Sequence, residues 1–132
     1  MNGYESLSVF RPEDIIDVHD EAAKHGYTWS FEIRERGSIE YLADRIRRMA
    51  KAKRAPKAIA ALAMHFVVRE HPFWDANHRT GFELAQIVLR AFGLVIESSP
   101  KETEEFVRSI DRDERSLRSV ENWVKTKMRR LR

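Results

Sequence analysis

Apolar residues recur every three or four positions along most of the chain, which is the spacing of one face of an α-helix. The first such stripe follows Pro12, a residue suited to a first helical turn, and Gly26 ends it. Ser38 is placed to cap a second helix, whose apolar stripe covers residues 39–50. Pro56 breaks that helix and can open a third. This pattern predicts helices for most of the N-terminal half.

Two helices are predicted to be buried. Residues 56–70 are apolar on nearly all sides, as expected of a helix at the centre of a domain. A fourth helix starts near Asn77 or His78 and runs to Gly93, which suits the left-handed position after a helix. The two helices are predicted to form a central pair, which residues 71–76 connect.

Two more helices complete the predicted fold. Residues 99–102, Ser-Pro-Lys-Glu, form a capping box with proline at the first helical position. A last helix is predicted from about Ser119, with apolar residues at helical spacing through Leu131. The predicted fold class is therefore all-α, a compact bundle of about six helices around the buried pair.

One segment has a different period. Apolar and polar residues alternate along 27–34, which is the period of a half-buried strand. Two interpretations are open: an irregular loop held by its aromatic side chains, or an exposed, short β-like flap that can pair with a partner's chain. In the second case, a protein target would dock on Trp29, Ser30, Phe31, Glu32 and Ile33.

The composition excludes several classes of function. The 132 residues include no cysteine, which excludes disulfides, thiol catalysis and cysteine zinc sites. No apolar run reaches the ~18 residues of a membrane span, and residues 1–10 lack the pattern of a signal peptide. We therefore expect a single domain, residues 1–132, in the cytoplasm and without a membrane partner.

Charge is unevenly distributed along the chain. Residues 1–44 hold 4 basic and 10 acidic side chains, whereas residues 45–58 hold 7 basic and no acidic ones. A basic helix face of this kind suits a nucleic acid, a nucleotide, an acidic partner or plain solvation. These alternatives stay open until a second feature selects among them.

The connection between the two buried helices carries the most informative chemistry. Taken singly, its polar residues have structural explanations as helix caps or ion-pair partners. Together they form a candidate triphosphate site, because the backbone amides of residues 76–79 form a helix N-terminus, which attracts anions. Asn77 and Arg79 add side-chain donors, and Asp75 can hold Mg²⁺ on the phosphates. His71 is suited to take a proton from an attacking hydroxyl.

The sequence of residues 71–80, His-Pro-Phe-Trp-Asp-Ala-Asn-His-Arg-Thr, resembles the signature of the Fic/Doc (Fido) family. It looks closest to the death-on-curing (Doc) toxin branch, which has alanine, asparagine, lysine, arginine and threonine in the second half. The likeness extends to a proline-glutamate start at Pro12 and to the segment before the motif. Several residues at fixed spacing are far more specific than a short pattern.

The resemblance implies a role for each residue of the motif. His71 would deprotonate a hydroxyl of a target protein, Phe73 would anchor the loop in the core, and Asp75 would bind Mg²⁺. The nucleotide phosphates would be held by Ala76, Asn77, His78 and Arg79. The implied cofactors are Mg²⁺ and ATP, with ATP as a substrate.

The family includes two activities. Fic-branch members transfer AMP to a protein hydroxyl, whereas the Doc toxin is a kinase that phosphorylates elongation factor Tu and arrests translation. His78 stands in place of the second glycine of the Fic motif and Phe82 in place of a second arginine, so the sequence favours the kinase. Adenylylation is the alternative. A non-catalytic helical module that binds nucleic acid or protein is a second alternative.

The resemblance also implies partners. The first is a protein target similar to elongation factor Tu, and the second is an antitoxin chain that acts in trans. The inhibitory-helix pattern of many Fic proteins is missing, because Leu117 stands where a hydroxyl residue is required. We therefore expect restraint from a separate chain. The basic stretch 45–58 is expected to serve nucleotide, target or antitoxin, and not nucleic acid.

Overall fold

The computed structural model describes residues 2–132. Over this range the chain forms seven helices and a small two-stranded sheet, so the predicted all-α class is confirmed. The helices are α1 (Gly3–Leu7), α2 (Pro12–Lys24), α3 (Arg36–Lys51), α4 (Pro56–Glu70), α5 (Asn77–Arg90), α6 (Pro100–Asp111) and α7 (Leu117–Lys127). The strands are β1 (Leu94–Ile96) and β2 (Met128–Arg130). None of the helices formed by residues 2–132 has the length and the apolar character that crossing a membrane requires.

Helices α4 and α5 form the predicted central pair. Both are largely buried; α2 packs against α5, and α3 and α7 pack against α4. On α5, Gly81 lies directly against α4: a Cβ at this position would be 2.8 Å from Val68 Cγ2 and 3.2 Å from Met64 O. Because Gly81 carries no side chain, the two helices approach closely near the loop that joins them.

Helix α3 begins earlier than its sequence predicts. Its first residue is Arg36 and its N-cap is Glu35, so the predicted cap at Ser38 is wrong. The reason is a tertiary contact, since the backbone N–H groups of Arg34 and Glu35 donate to Pro72 O at 2.8 and 2.9 Å. This contact fixes the backbone of Arg34 and Glu35, so the helix begins at the next residue, Arg36, and Ser38 lies inside its first turn.

The end of α3 also differs from the prediction. The sequence predicts that Pro56 breaks the helix, but α3 ends at Lys51. Lys53 is left-handed, with φ 56°, and the Arg54 N–H donates to Met49 O at 3.0 Å. These are the features of a Schellman motif, which ends a helix by satisfying its last carbonyls. Helix α4 begins at Pro56 as predicted.

Helix α6 begins at a serine cap. Ser99 Oγ accepts the Glu102 N–H at 3.1 Å, which confirms the predicted start. The Glu102 carboxylate binds Ser98 Oγ and Lys127 Nζ, both at 2.8 Å, instead of the backbone of the cap. The capping box is therefore only half formed, and its acidic residue joins α6 to the end of α7.

Helix α7 differs from its prediction at both ends. It starts at Leu117 after the cap Ser116, and Met128 leaves the helix with an extended backbone. Residues Met128–Arg130 form β2, which pairs antiparallel with β1. Leu131 is therefore not part of a helical stripe, and that prediction is wrong. Because β1 lies far away in the sequence, local spacing cannot indicate this strand.

The flap, residues 27–34, is an irregular loop. Within residues 2–132, its only ladder contact is an isolated antiparallel bridge between Ile33 and Phe73. Trp29 and Phe31 are 63% and 51% exposed, so aromatic packing does not hold the flap. The loop interpretation is confirmed, but the predicted cause is wrong. Hydrogen bonds to the segment after α4 hold the flap instead.

Candidate active site

The loop between α4 and α5, residues 71–76, turns at two left-handed residues. His71 caps α4 with φ 49°, and Ala76 precedes α5 with φ 64°. The left-handed region costs a residue with a Cβ about 1 kcal/mol or more. Contacts from the surrounding structure must therefore hold this loop in its shape.

Buried contacts order the centre of the loop. The Asn77 side chain accepts the Phe73 N–H at 3.1 Å and donates to Phe73 O at 2.8 Å. Phe73 is buried and stacks on the buried His19 ring, with ring centroids 3.7 Å apart. His19 Nε2 donates to Asp75 O at 3.0 Å, since a carbonyl can only accept. The side-chain amide of Asn77 is therefore engaged by the backbone of Phe73, inside the loop.

Arg34, which sequence reasoning missed, holds the loop from the flap. Its Nε donates to His71 O and its Nη2 to Glu70 O, both at 2.6 Å. These carbonyls lie at the C-terminal end of α4, where acceptors lack helical partners and cations are favoured. A charged residue 37 positions away thus fixes the backbone of His71. No local pattern indicates such a contact.

The N-terminus of α5 is open. Among the residues that the structure describes, the backbone N–H groups of Asn77, His78 and Arg79 find no acceptor. The helical ladder starts with the Thr80 N–H, which donates to Ala76 O at 3.0 Å. The positive end of the helix dipole adds to these free donors. This end of α5 is therefore suited to bind an anion such as phosphate.

Asp75 connects the flap to the loop. Its Oδ2 accepts the Trp29 N–H at 2.8 Å, and its Oδ1 accepts the Ala76 N–H at 2.7 Å. Each carboxylate oxygen can accept a further bond, so both keep acceptor capacity. A hard oxygen ligand beside an open helix N-terminus fits Mg²⁺, which commonly takes one carboxylate together with phosphate oxygens and water.

A carboxylate from α6 completes the site. Asp111 Oδ1 lies 2.9 Å from His71 Nε2, and Asp111 Oδ2 lies 2.8 Å from His78 Nε2. An ionised carboxylate only accepts, so both Nε2 atoms carry a proton, and the lone pair of a neutral His71 ring is on Nδ1. Sequence reasoning missed Asp111, because it lies 40 and 33 positions from the two histidines.

Burial and hydrogen bonding act in opposite directions on Asp111. Partial burial raises the pKa of this carboxyl, but the hydrogen bonds from His78 and His71, together with the charges of the two rings, hold the pKa below its ordinary value. Asp111 is therefore ionised at neutral pH and accepts from both rings. Its contribution to stability is present at neutral pH and is lost as the pH falls through the lowered pKa.

His71 and residues 74–79 line one side of a cavity of about 850 Å³. The opposite wall is formed by α6 and the segment before it, and includes Ser98, Thr103, Glu104 and Arg108. The volume lies within the range of ligand pockets, about 300–1,000 Å³. Within the described chain, His71 and residues 75–79 border this cavity together, whereas residues 29–33 of the flap do not border it.

Arg79 also borders the cavity, but part of its side chain is engaged elsewhere. Its Nη1 donates to Ala22 O at 2.6 Å, near the C-terminal end of α2. Its guanidinium packs against Gly26, where a Cβ would overlap it. A guanidinium has five donors, so the contact with Ala22 leaves Arg79 with further N–H donors.

Comparisons with known proteins bear on this site. A family model described as the Fic/DOC family matches residues 9–89, more than half of the 132 residues. A search of the curated proteins found no match. The matched range contains the loop of residues 71–76, whereas Asp111 lies outside it. The chain belongs to the Fic/DOC family, whose members are generally nucleotide-dependent transferases.

Proposed function

We propose that the protein is a phosphotransferase that uses Mg²⁺ and ATP to phosphorylate a protein hydroxyl, as the Doc toxin does. One observation carries this proposal: the open N-terminus of α5 borders the same cavity as His71 and Asp75. A polyphosphate in this cavity would lie between anion-binding donors and a base. Phosphoryl transfer requires mainly positioning and charge stabilisation from the protein.

The proposed reaction gives each group a task. The N–H groups of residues 77–79 and the Arg79 side chain bind phosphate oxygens. His71 Nδ1 takes the proton of the target hydroxyl, and the hydroxyl oxygen bonds to the γ-phosphorus of ATP. The bond between the γ-phosphorus and the oxygen that bridges it to the β-phosphate breaks, and ADP leaves. Asp111 holds the Nε2 side of the ring and stabilises the imidazolium. Asp75 would hold Mg²⁺, which offsets the charge of the phosphates.

Two positions favour phosphoryl transfer over adenylyl transfer. His78 projects a ring from the first turn of α5 and pairs with Asp111, where the Fic motif has a bare glycine backbone. Phe82 borders the cavity one turn later, where the Fic motif has a second arginine. An apolar ring supplies no donor to a phosphate. The close backbone approach and the extra donor of the Fic arrangement are therefore missing at these two positions.

We further propose that this activity belongs to a toxin of a toxin–antitoxin system. Its target would resemble elongation factor Tu, and a separate antitoxin chain would restrain it. The exposed side chains of Trp29 and Phe31 in the flap support a protein partner, because large apolar residues in solvent often mark interaction surfaces. The basic residues of 45–58 provide a second surface, which suits an acidic partner.

Labelled ATP tests the reaction. The full chain is incubated with purified elongation factor Tu and with bacterial extract, using ATP labelled at either the γ or the α phosphate. We expect protein to acquire the γ label only, and His71→Ala to lower the rate by at least about 100-fold. His25→Ala, an exposed histidine at the end of α2, is the matched control and retains the rate.

The outcomes separate the proposed activities. Transfer of the α label alone contradicts the kinase and supports adenylylation. If neither label is transferred, the chain is a binding module, and charge reversal at Arg45 and Arg48 would then abolish its binding whereas His71→Ala would not. For the toxin role, expression of the wild type is expected to arrest growth and that of His71→Ala is not; equal growth would contradict this role.

A further inference from the structure

Two histidines and a carboxylate present their ligand atoms to one point beside the cavity. One ring nitrogen of His71, one ring nitrogen of His78 and one oxygen of Asp111 all lie within 4.8 Å of one another. Both Nε2 atoms contact the Asp111 carboxylate, at 2.9 and 2.8 Å. Their side chains are 41%, 43% and 34% exposed, so an ion in solution can reach them. The three residues come from the loop of residues 71–76, the first turn of α5 and the end of α6.

This donor set has a definite preference among metal ions. Imidazole nitrogen suits Zn²⁺, Co²⁺, Ni²⁺ and Cu²⁺, whereas Mg²⁺ prefers an all-oxygen environment. Two histidines and one carboxylate, with a fourth position left open, are a common ligand set for zinc in proteins. The set therefore differs in chemistry from the oxygen ligand at Asp75, to which the proposed Mg²⁺ is assigned.

The geometry requires only small movements. In a tetrahedral zinc site with bonds of about 2.0–2.1 Å, neighbouring ligand atoms are about 3.3 Å apart. The two contacts of Asp111 with the rings are 2.9 and 2.8 Å, and no pair in the cluster exceeds 4.8 Å. Changes of this size are within reach of side-chain rotations, because all three side chains are partly exposed.

We propose that His71, His78 and Asp111 form a binding site for a divalent transition-metal ion of the zinc type, and that this ion inhibits the enzyme. The metal binds the lone pair of His71 Nε2, the atom whose N–H otherwise donates to Asp111. The proton of the neutral ring is then on Nδ1, which can no longer accept one from a hydroxyl. Inhibition rests on the proposed function, whereas metal binding does not.

Metal binding is tested directly on the full chain. Zn²⁺ is titrated by calorimetry, and Co²⁺ is followed by its visible absorption. We expect one ion per chain and no displacement by millimolar Mg²⁺. His78→Ala and Asp111→Asn are expected to weaken binding by at least about tenfold. His25→Ala is the matched control, because this exposed histidine contacts only Glu21 among the described carboxylates, at 3.5 Å.

Each outcome bears on one part of the proposal. Equal affinity of the wild type and His78→Ala, or no binding at all, overturns the site. Circular dichroism verifies folding, and if Asp111→Asn does not fold, His78→Ala decides alone. Stoichiometric Zn²⁺ is expected to stop label transfer, and a chelator with excess Mg²⁺ to restore it; zinc binding with full transfer overturns the inhibition. Zinc binding by a chain without any transferase activity supports the site and contradicts only the proposed function.

Discussion

Two charged side chains outside the loop of residues 71–76 determine the backbone position of His71 and which nitrogen of its ring carries the proton. Arg34 binds the carbonyls of Glu70 and His71, and Asp111 binds the Nε2 side of the His71 ring. The first contact orients the backbone, and the second selects the nitrogen that carries the lone pair. At the scale of single residues, the chemistry of the site therefore depends on groups that the motif does not contain.

Replacing Arg34 tests the first contact. Arg34→Met removes two charged donors from the end of α4, and we expect the free energy of unfolding to fall by about 1–2 kcal/mol. Arg36→Met is the matched control: its partner Glu13 is 3.4 Å away in an exposed pair, so its effect should stay within about 0.5 kcal/mol. Urea unfolding measures both variants. Similar losses in the two would contradict the role of Arg34.

His65 on α4 predicts a pH dependence. Burial lowers the pKa of this imidazole, and Arg69 acts in the same direction, whereas a hydrogen bond with the backbone of Arg115 and the charges of Asp113 and Glu70 oppose them. As the pH falls, His65 therefore binds a proton in the unfolded chain, near pH 6.5, before it does so in the folded chain. The free energy of unfolding decreases as the pH falls below that value.

The variant His65→Gln should lose less stability than the wild type between pH 7.5 and pH 5. The other histidines are the same in both proteins, so the difference between the two pH profiles isolates His65. Urea unfolding at several pH values measures it. His25→Gln, which changes an exposed histidine, should reproduce the wild-type profile. Parallel profiles for wild type and His65→Gln would contradict the prediction.

At the scale of elements, the approach of α4 and α5 positions the loop between them. The contact depends on Gly81, whose position on α5 faces Val68 on α4. Both residues are buried, so neither helix can move aside without disturbing the core. The loop and the open N-terminus of α5 begin within one turn of this contact, so the packing of the pair sets the geometry of the site.

A double-mutant cycle tests this contact. Gly81→Ala should lower the free energy of unfolding by about 1–3 kcal/mol, because a Cβ would be 2.8 Å from Val68 Cγ2. Val68→Ala removes that methyl group, so the double variant should lose less than the sum of the two single losses. Gly37→Ala on α3 is the control: its nearest neighbour would be 3.6 Å away, and it should be neutral or stabilising. Additive losses would contradict the close contact.

At the scale of the whole molecule, the site lies between the family-matched part of the chain and its C-terminal part. Residues 9–89 supply the loop and α5, whereas α6 supplies the opposite wall of the cavity and Asp111. The end of α7 is joined to α6 by Lys127 and Glu102, and β2 is joined to β1. These contacts hold the far wall in place.

Filling the cavity tests its role. Thr103→Trp places a large ring on the α6 wall, and we expect it to weaken the binding of a non-hydrolysable ATP analogue by at least about tenfold. Glu105→Trp, on the same helix but outside the cavity lining, is the control and should bind normally. Calorimetry measures affinity, and thermal unfolding verifies that both variants fold. Equal affinities would place the nucleotide elsewhere.

Much of this architecture could be predicted from short stretches of sequence. Pro12, Pro56 and Ser99 mark helix starts that the structure confirms, because prolines and caps act within one turn. The helical spacing of apolar residues indicated the buried pair α4 and α5 for the same local reason. The residues of 71–79 that border the cavity are likewise close together in the sequence.

Other features depend on packing between distant segments. Arg34 and Asp111 meet His71 across 37 and 40 positions, and β2 replaces a helical turn because β1 offers it hydrogen bonds. Helix α3 starts at Arg36 for a similar reason, since Pro72 binds the backbone before it. Spacing along a chain describes only neighbours within a turn or two. Contacts between distant segments exist only once the helices have packed, so the fold alone selects the partners of the loop of residues 71–76.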